Sequence, residues 1–161
     1  MMFTHRFQLI RLLEGILAAL FAAMTLAFFL QVVFRYVFEL PLGWTEEVTK
    51  LLFAWVSFLG TSIVFKQQGL TKIDIVTARI PQSWRFRMDL VIRLGISLVL
   101  VAIIYFGTAI ALMLRNESFI TFDLSHVYLY AALPASCLIM LYYNITDMID
   151  GVKNHRRDQE V

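Results

Sequence analysis

The chain has 161 residues, of which 60% are hydrophobic and 16% charged, and a net charge of +2. A soluble domain carries roughly 45–50% apolar residues, so this much apolar side chain needs a nonaqueous solvent beyond a small core. The weak net charge and the lack of a basic groove exclude nucleic acid as a partner. The single cysteine, Cys137, excludes an internal disulfide and a cysteine-based metal site.

The first apolar run covers about residues 12–36, enough for the ~20 residues that cross a bilayer. Between Gly15 and Phe34 only Thr25 and Gln31 are clearly polar, and this stretch exceeds the ~7–15-residue apolar run of a signal peptide. Small residues recur along it at helical spacing, Ala18 with Ala22 and Ala19 with Ala23 and Ala27, a pattern that lets helices approach closely. Pro41 and Gly43 then make a tight connection, which predicts that spans 1 and 2 are antiparallel neighbours. The second charge-free run, Leu51–Phe65, supplies only about 22 Å of helix. Starting the helix near Trp44 extends the span to 44–66, with Glu46, Glu47 and Lys50 at one headgroup zone and Lys66 at the other. Glu46 stands one turn before Lys50, the favourable order for a helical ion pair.

After span 2, Thr71-Lys72-Ile73-Asp74 has the form of a capping box, Ile73, Val76 and Ile80 follow at helical spacing, and Pro81 blocks continuation. These features predict a short amphipathic helix over about residues 72–80, lying on the membrane surface. A further helix start at Ser83 leads into span 3 at about 91–114. Lys72, Arg79, Trp84, Arg85, Arg87 and Arg93 are the candidate contacts to lipid headgroups in this region. Gly107 with Ala111 repeats the small-residue spacing in span 3, and Gly60 closes the aromatic stretch of span 2. Span 4 covers about 125–147; Pro134 deprives the Tyr130 carbonyl of its donor and kinks the helix. The fold class is therefore an all-α membrane protein, one domain over 1–161 with four transmembrane helices and an interfacial helix between spans 2 and 3.

Lysine and arginine in short loops favour the cytoplasmic side. Arg6, Arg11, Lys66, Lys72, Arg79, Arg85, Arg87, Arg93, Lys153, Arg156 and Arg157 fall on one side, against Arg35, Lys50 and Arg115 on the other. Both termini are predicted to be cytoplasmic. Ionisable groups at membrane depth are the natural markers of chemistry, and the spans contain almost none. Thr25, Ser57, Thr61, Ser62, Ser97, Thr108 and Ser136 are expected to bond back to their own helices. Gln31 and Asn144, near span ends, are candidates for helix cross-links. His5, His126 and His155 leave a haem without ligands at membrane depth. Asp123, Ser125 and His126 crowd one loop and read as the start of span 4, so no catalytic residue, metal site or enzyme activity is expected. Two alternatives stay open: a small autonomous proton-coupled exporter using Glu14, and a membrane anchor of a respiratory enzyme.

Three stretches in order carry a family resemblance: Gln31-Val-Val-Phe-Arg-Tyr-Val-Phe, Pro41-Leu-Gly-Trp-Thr-Glu-Glu-Val and Leu52-Phe-Ala-Trp-Val-Ser-Phe-Leu-Gly60. Together with Gly69-Leu70-Thr71-Lys72-Ile73-Asp74 they resemble the small membrane subunit of tripartite ATP-independent periplasmic (TRAP) transporters. The family often has a histidine where Leu70 stands, so any role of that histidine is absent here. The resemblance implies a non-catalytic four-span subunit in the bacterial inner membrane. Its partners would be a large multi-span permease, a periplasmic substrate-binding protein and membrane lipids. Sodium would be bound by the large subunit, which moves as an elevator, and the solute would be an organic acid such as a dicarboxylate, a keto acid or sialic acid. On this reading Arg35, Tyr36, Glu39, Trp44, Glu46, Glu47 and Lys50 form an outer rim that docks the binding protein, with Arg35 pairing Glu46 or Glu47 across the hairpin. Ala19, Ala23, Ala27, Gly60, Gly107 and Ala111 are the expected packing positions against the large subunit.

Overall fold

The computed structural model describes the backbone of residues 2–40, 42–77, 82–119, 121 and 124–159. Side chains are described for 10–40, 42–67, 84, 87–119, 121 and 124–153. The elements are α1 (Met2–Tyr36), α2 (Gly43–Thr77), α3 (Gln82–Met113), a 3-10 turn (Leu114–Asn116), α4 (Val127–Tyr130) and α5 (Ala132–Gln159). Four segments are long and apolar enough to cross a membrane: Ile10–Tyr36, Gly43–Gln67, Arg87–Asn116 and Val127–Lys153. Each overlaps a predicted span, with ends that differ by up to six residues. The short second run is completed as anticipated, because α2 begins at Gly43.

The predicted interfacial helix is not a separate element. α2 continues unbroken through Thr77, so the capping-box signature at Thr71 does not start a helix. No proline stands between Gly43 and Thr77, and a backbone already in helical register extends at less cost than a new nucleus forms. Residues 78–80 of the predicted helix lie outside the described residues.

The helices form a row. α1 packs on α2, α2 on α5, and α5 on α3, which leaves α1 and α3 at the two ends. Only 6% of the most apolar window of α1 is buried, against 39% for the span that contains α5. The α1–α2 seam follows positions three and four apart on α1, with Leu13 and Ala27 buried and Leu17, Leu20, Met24 and Gln31 half-buried between and beyond them. The α3–α5 seam centres on Leu100, Cys137 and Met140, flanked by Ile96, Ile103, Ile104, Leu133 and Leu141. Gly107 lets these two helices close up: a Cβ there would stand 3.5 Å from Pro134 Cδ and 3.7 Å from Leu133 Cδ2.

The fourth span is interrupted at Ala131, between α4 and α5. Pro134 sits in the first turn of α5 and cannot donate to the Tyr130 carbonyl. Helical bonding resumes with Ala135 N–H donating to Ala131 O at 3.1 Å. The Trp55 indole N–H donates to Tyr128 O at 3.0 Å, tying α2 to this break.

Candidate functional site

Polar groups inside the spans are mostly consumed locally. Thr25, Thr61 and Thr108 donate to the carbonyls of Phe21, Ser57 and Ile104 at 2.8, 2.7 and 2.6 Å. Ser62, Ser97 and Ser136 do the same to Leu59, Arg93 and Ala132. Among the described residues Ser57 takes part through its carbonyl. These bonds leave the mid-span hydroxyls little capacity to line a hydrophilic route.

Charge is concentrated at two levels. The first joins α2, α5 and α3 near their Lys66 end, about 35 Å of helix from Gly43. Lys66 Nζ lies 2.7 Å from Asp147 Oδ1, with the two side chains 14% and 12% exposed. The same ammonium stands 5.3 Å above the ring of Tyr143, a cation–π contact. On the next residue, Asn144 Nδ2 donates to both Arg93 O and Ser97 Oγ at 2.9 Å. Arg93 Nε in turn pairs with Asp89 Oδ2 at 2.9 Å, one turn earlier on α3. The arrangement therefore runs from a lysine on α2, through α5, to an ion pair on α3. It fixes the axial register of three helices at a depth where misaligned charges would face hydrocarbon.

This junction corrects one expectation and extends another. Arg93, assigned to lipid headgroups, is only 8% exposed and is turned into the α3–α5 seam. Asp89, one turn away, attracts it inward, and Asn144 uses its carbonyl. Asn144 is a cross-link, as its chemistry suggested. Asp147 was not singled out in the sequence, and Asp89 was read only as sharing one helix face with Arg85 and Arg93. The available signal was that Lys66 and Asp147 stand near the C-terminal ends of spans 2 and 4, which run in the same direction, so opposite charges meet at one depth. Trp84 and Arg87 are exposed, with the guanidinium 5.7 Å from the indole ring. The side chains of Lys72, Arg79 and Arg85 lie outside the described residues.

The second charged level is the α1–α2 hairpin. Arg35 and Tyr36 end α1, both exposed, with the guanidinium 6.0 Å from the neighbouring ring. Glu39 adopts φ 53°, the left-handed conformation that turns the chain toward α2. Trp44 is exposed, whereas Thr45 is fully buried and its hydroxyl donates to Leu42 O at 2.6 Å. The expected pairing of Arg35 with Glu46 or Glu47 does not form. Glu46 Oε1 is taken by Lys50 Nζ at 2.8 Å, one helical turn away, and a partner on the same helix loses less entropy than one across a hairpin. Glu47 points the other way, its Oε2 accepting from Thr121 N–H at 3.2 Å. It thereby holds the connection between α3 and α4, a role that spacing did not reveal.

That connection is a small hairpin. Ser118 and Ser125 form a bridge, His126 N–H donates to Glu117 O at 2.9 Å, and the Phe119 and His126 rings stack at 4.4 Å. Ser125 Oγ donates to Arg115 O and accepts from Val127 N–H at the start of α4. Its hydroxyl is thus occupied in a helix start and not in a nucleophile–histidine pair; Asp123 lies outside the described residues. Glu14 is exposed near the other end of α1, 3.4 Å from Gln67 Nε2. Among the described residues no three His, Cys, Asp or Glu side chains are grouped to hold a metal ion.

The small-residue positions divide. Ala19 and Ala23 are exposed on α1. Ala27 and Ala111 are buried within the chain, at 8% and 5% exposure. Gly60 faces Leu17 across the α1–α2 seam, and Gly107 faces Pro134. Ala27, Gly107 and Ala111 fill internal contacts and Gly60 is half-buried against Leu17, because small residues allow close approach to whichever helix arrives first, and here that helix is in the same chain.

Comparison with known proteins bears on what such a row of helices belongs to. The family model described as Tripartite ATP-independent periplasmic transporters, DctQ component, matches residues 9–154. The sialic acid TRAP transporter small permease protein SiaQ of Vibrio cholerae is 26% identical over 156 residues, covering 91% of this chain and 87% of that protein. The sialic acid TRAP transporter permease protein SiaT of Haemophilus influenzae is 29% identical over 136 residues, covering 82% of this chain. The chain spans only 21% of SiaT's length. With the family matched across nearly its whole length and four apolar helices in place, the chain belongs to the DctQ component family, the small multi-pass permease subunits of TRAP transporters.

Proposed function

We propose that this subunit widens the stationary scaffold of a sodium-driven TRAP transporter, whose large permease subunit moves the solute as an elevator. A frame of this kind needs breadth and a fixed internal register. The observation that carries the reading is the open row of four apolar helices, cross-linked by the Lys66–Asp147 and Asn144–Arg93 contacts. Its own polar side chains bond within or between its helices, so solute and sodium would be bound by the larger partner. The match to SiaT supports such a partner, since most of that protein lies beyond the matched segment. The word sialic acid in the names of both relatives supports an organic acid as solute.

The lysine and arginine distribution supports both termini on the cytoplasmic side of the bacterial inner membrane. The α1–α2 hairpin then faces the periplasm, where Arg35, Tyr36, Glu39, Trp44, Glu46, Glu47 and Lys50 are placed to meet a substrate-binding protein. Ala19 and Ala23, exposed on the end helix of the row, are the remaining small positions open to the large subunit. The respiratory-anchor alternative loses its footing with the family match, and Glu14 is hydrogen-bonded at the exposed end of a seam. The test is co-purification: tagged chain extracted from its native membrane in mild detergent should bring down a much larger multi-span permease in constant ratio. Recovery of the chain alone, under conditions where both proteins are expressed, overturns the proposal.

A further inference from the structure

With the α1–α2 hairpin facing the periplasm and docking the binding protein, a reading on which this inference rests, we propose that the α3–α4 connection belongs to the same docking surface. Glu47 clamps the two together and is a positioning residue for docking. Thr121 lies 74 residues further along the chain, yet its N–H donates to Glu47 Oε2 at 3.2 Å. The same threonine comes so close to the start of α2 that a Cβ on Gly43 would stand 3.4 Å from its Oγ1. Further along α2, the Trp55 bond to Tyr128 O carries the junction on to α4. Thr45 in the first turn of α2 and Phe119 in the connection are both buried.

The clamped connection presents charge on a fixed backbone. Arg115 O accepts from Ser125 Oγ at 2.7 Å. Glu117 N–H donates to Leu114 O at 3.1 Å, and Glu117 O accepts from His126 N–H at 2.9 Å. The Ser118–Ser125 bridge and the stacked Phe119 and His126 rings close the loop on itself. The side chains of Arg115 and Glu117 stay exposed, and neither forms an ion pair among the described residues. Charged groups on a backbone already held lose less freedom when a partner arrives. The combined rim is mixed in sign, Arg35 and Arg115 with Glu39 and Glu117, while Glu46 is paired with Lys50. A mixed, exposed rim suits the polar periphery of a contact with a soluble protein. Size points the same way. A standard interface takes roughly 20–30 residues a side, and the seven of the α1–α2 rim fall short of that. A single exposed hydrogen bond adds little to the stability of a fold, so loss of the Glu47 acceptor frees the connection while the helices stay packed.

The assay is uptake of radiolabelled sialic acid by proteoliposomes holding the full chain with its large permease subunit, titrated with the transporter's purified binding protein. Glu47→Ala should raise the half-saturating concentration of binding protein roughly fivefold or more, with maximal uptake unchanged. Its Thr121 amide proton should exchange faster while the thermal midpoint stays that of the wild type. Glu47→Gln keeps an acceptor for Thr121 and should stay within about twofold of the wild type. Arg115→Glu should raise half-saturation as Arg35→Glu does. Wild-type half-saturation in either Glu47→Ala or Arg115→Glu, with Arg35→Glu impaired, overturns the proposal and leaves docking at the α1–α2 hairpin standing. Equal loss in Glu47→Ala and Glu47→Gln overturns it too, since the charge and not the clamp would then be what the partner needs. A fall confined to maximal uptake does the same. Wild-type half-saturation in Arg35→Glu as well as in the others removes the docking reading itself.

Discussion

Replacing Lys66 with Met leaves Asp147 without its ammonium in a setting where its side chain is only 12% exposed. Breaking a fully buried pair by removing one partner costs about 3–5 kcal/mol. Lys66 sits near the end of its span, where a carboxylate recovers part of its hydration, so the lower end, about 3 kcal/mol, is expected. For a chain of this size each kcal/mol shifts the unfolding midpoint by roughly 2–4 °C, and Lys66→Met should lower it by about 6–12 °C. Asp147→Leu should cost at least as much, because Asp147 has contacts beyond Lys66. The double variant is the informative one. Swapping a buried ion pair for apolar side chains is often neutral or stabilising, so Lys66→Met with Asp147→Leu should recover most of the lost stability. The assay is unfolding in detergent micelles followed by circular dichroism, read as a double-mutant cycle with a coupling of about 2 kcal/mol or more. Additive losses, with the double variant at the sum of the two singles, would refute the claim that these residues act as a buried pair.

Asn144→Leu removes two cross-helix bonds and, at about 0.6–1.7 kcal/mol for such contacts in membranes, should destabilise by roughly 1–3 kcal/mol in the same assay; no change would show that Arg93 and Ser97 are satisfied without it. Pro134→Ala restores an N–H facing the Tyr130 carbonyl, so the break at Ala131 should close and amide protons there should exchange more slowly; unchanged exchange would place the cause of the break elsewhere. Gly107→Leu should force α3 off Pro134 and cost about 1–3 kcal/mol by overpacking. Ala19→Leu, on an exposed face, should leave the isolated chain's stability within about 0.5 kcal/mol and lower recovery of the large subunit; a fall in stability would mean that Ala19 packs internally.

Span positions were legible because a helix needs a fixed length to cross hydrocarbon and each apolar run supplies it once its flanks are included. The break near Pro134, the Glu46–Lys50 pair and the local bonding of Thr25, Thr61 and Thr108 were legible for a related reason, since each is decided within about one helical turn. What escaped was decided across the chain. Small residues mark a close approach without naming the neighbour, so the sequence did not show that Gly60, Gly107, Ala27 and Ala111 each meet a helix of this same chain. Arg93 has the sequence context of an interfacial arginine, and only the arrival of α5 beside it buries it. The capping signature at Thr71 shows the reverse failure, in which a sound local signal yields to a helix already under way.

The account rests on this chain contributing frame and not passage. Purified chain in liposomes with an imposed sodium gradient, its cognate binding protein and radiolabelled sialic acid should accumulate no solute above protein-free vesicles. Uptake should appear only when the larger permease subunit is reconstituted with it. Gradient-dependent accumulation by this chain without the larger subunit would contradict the account.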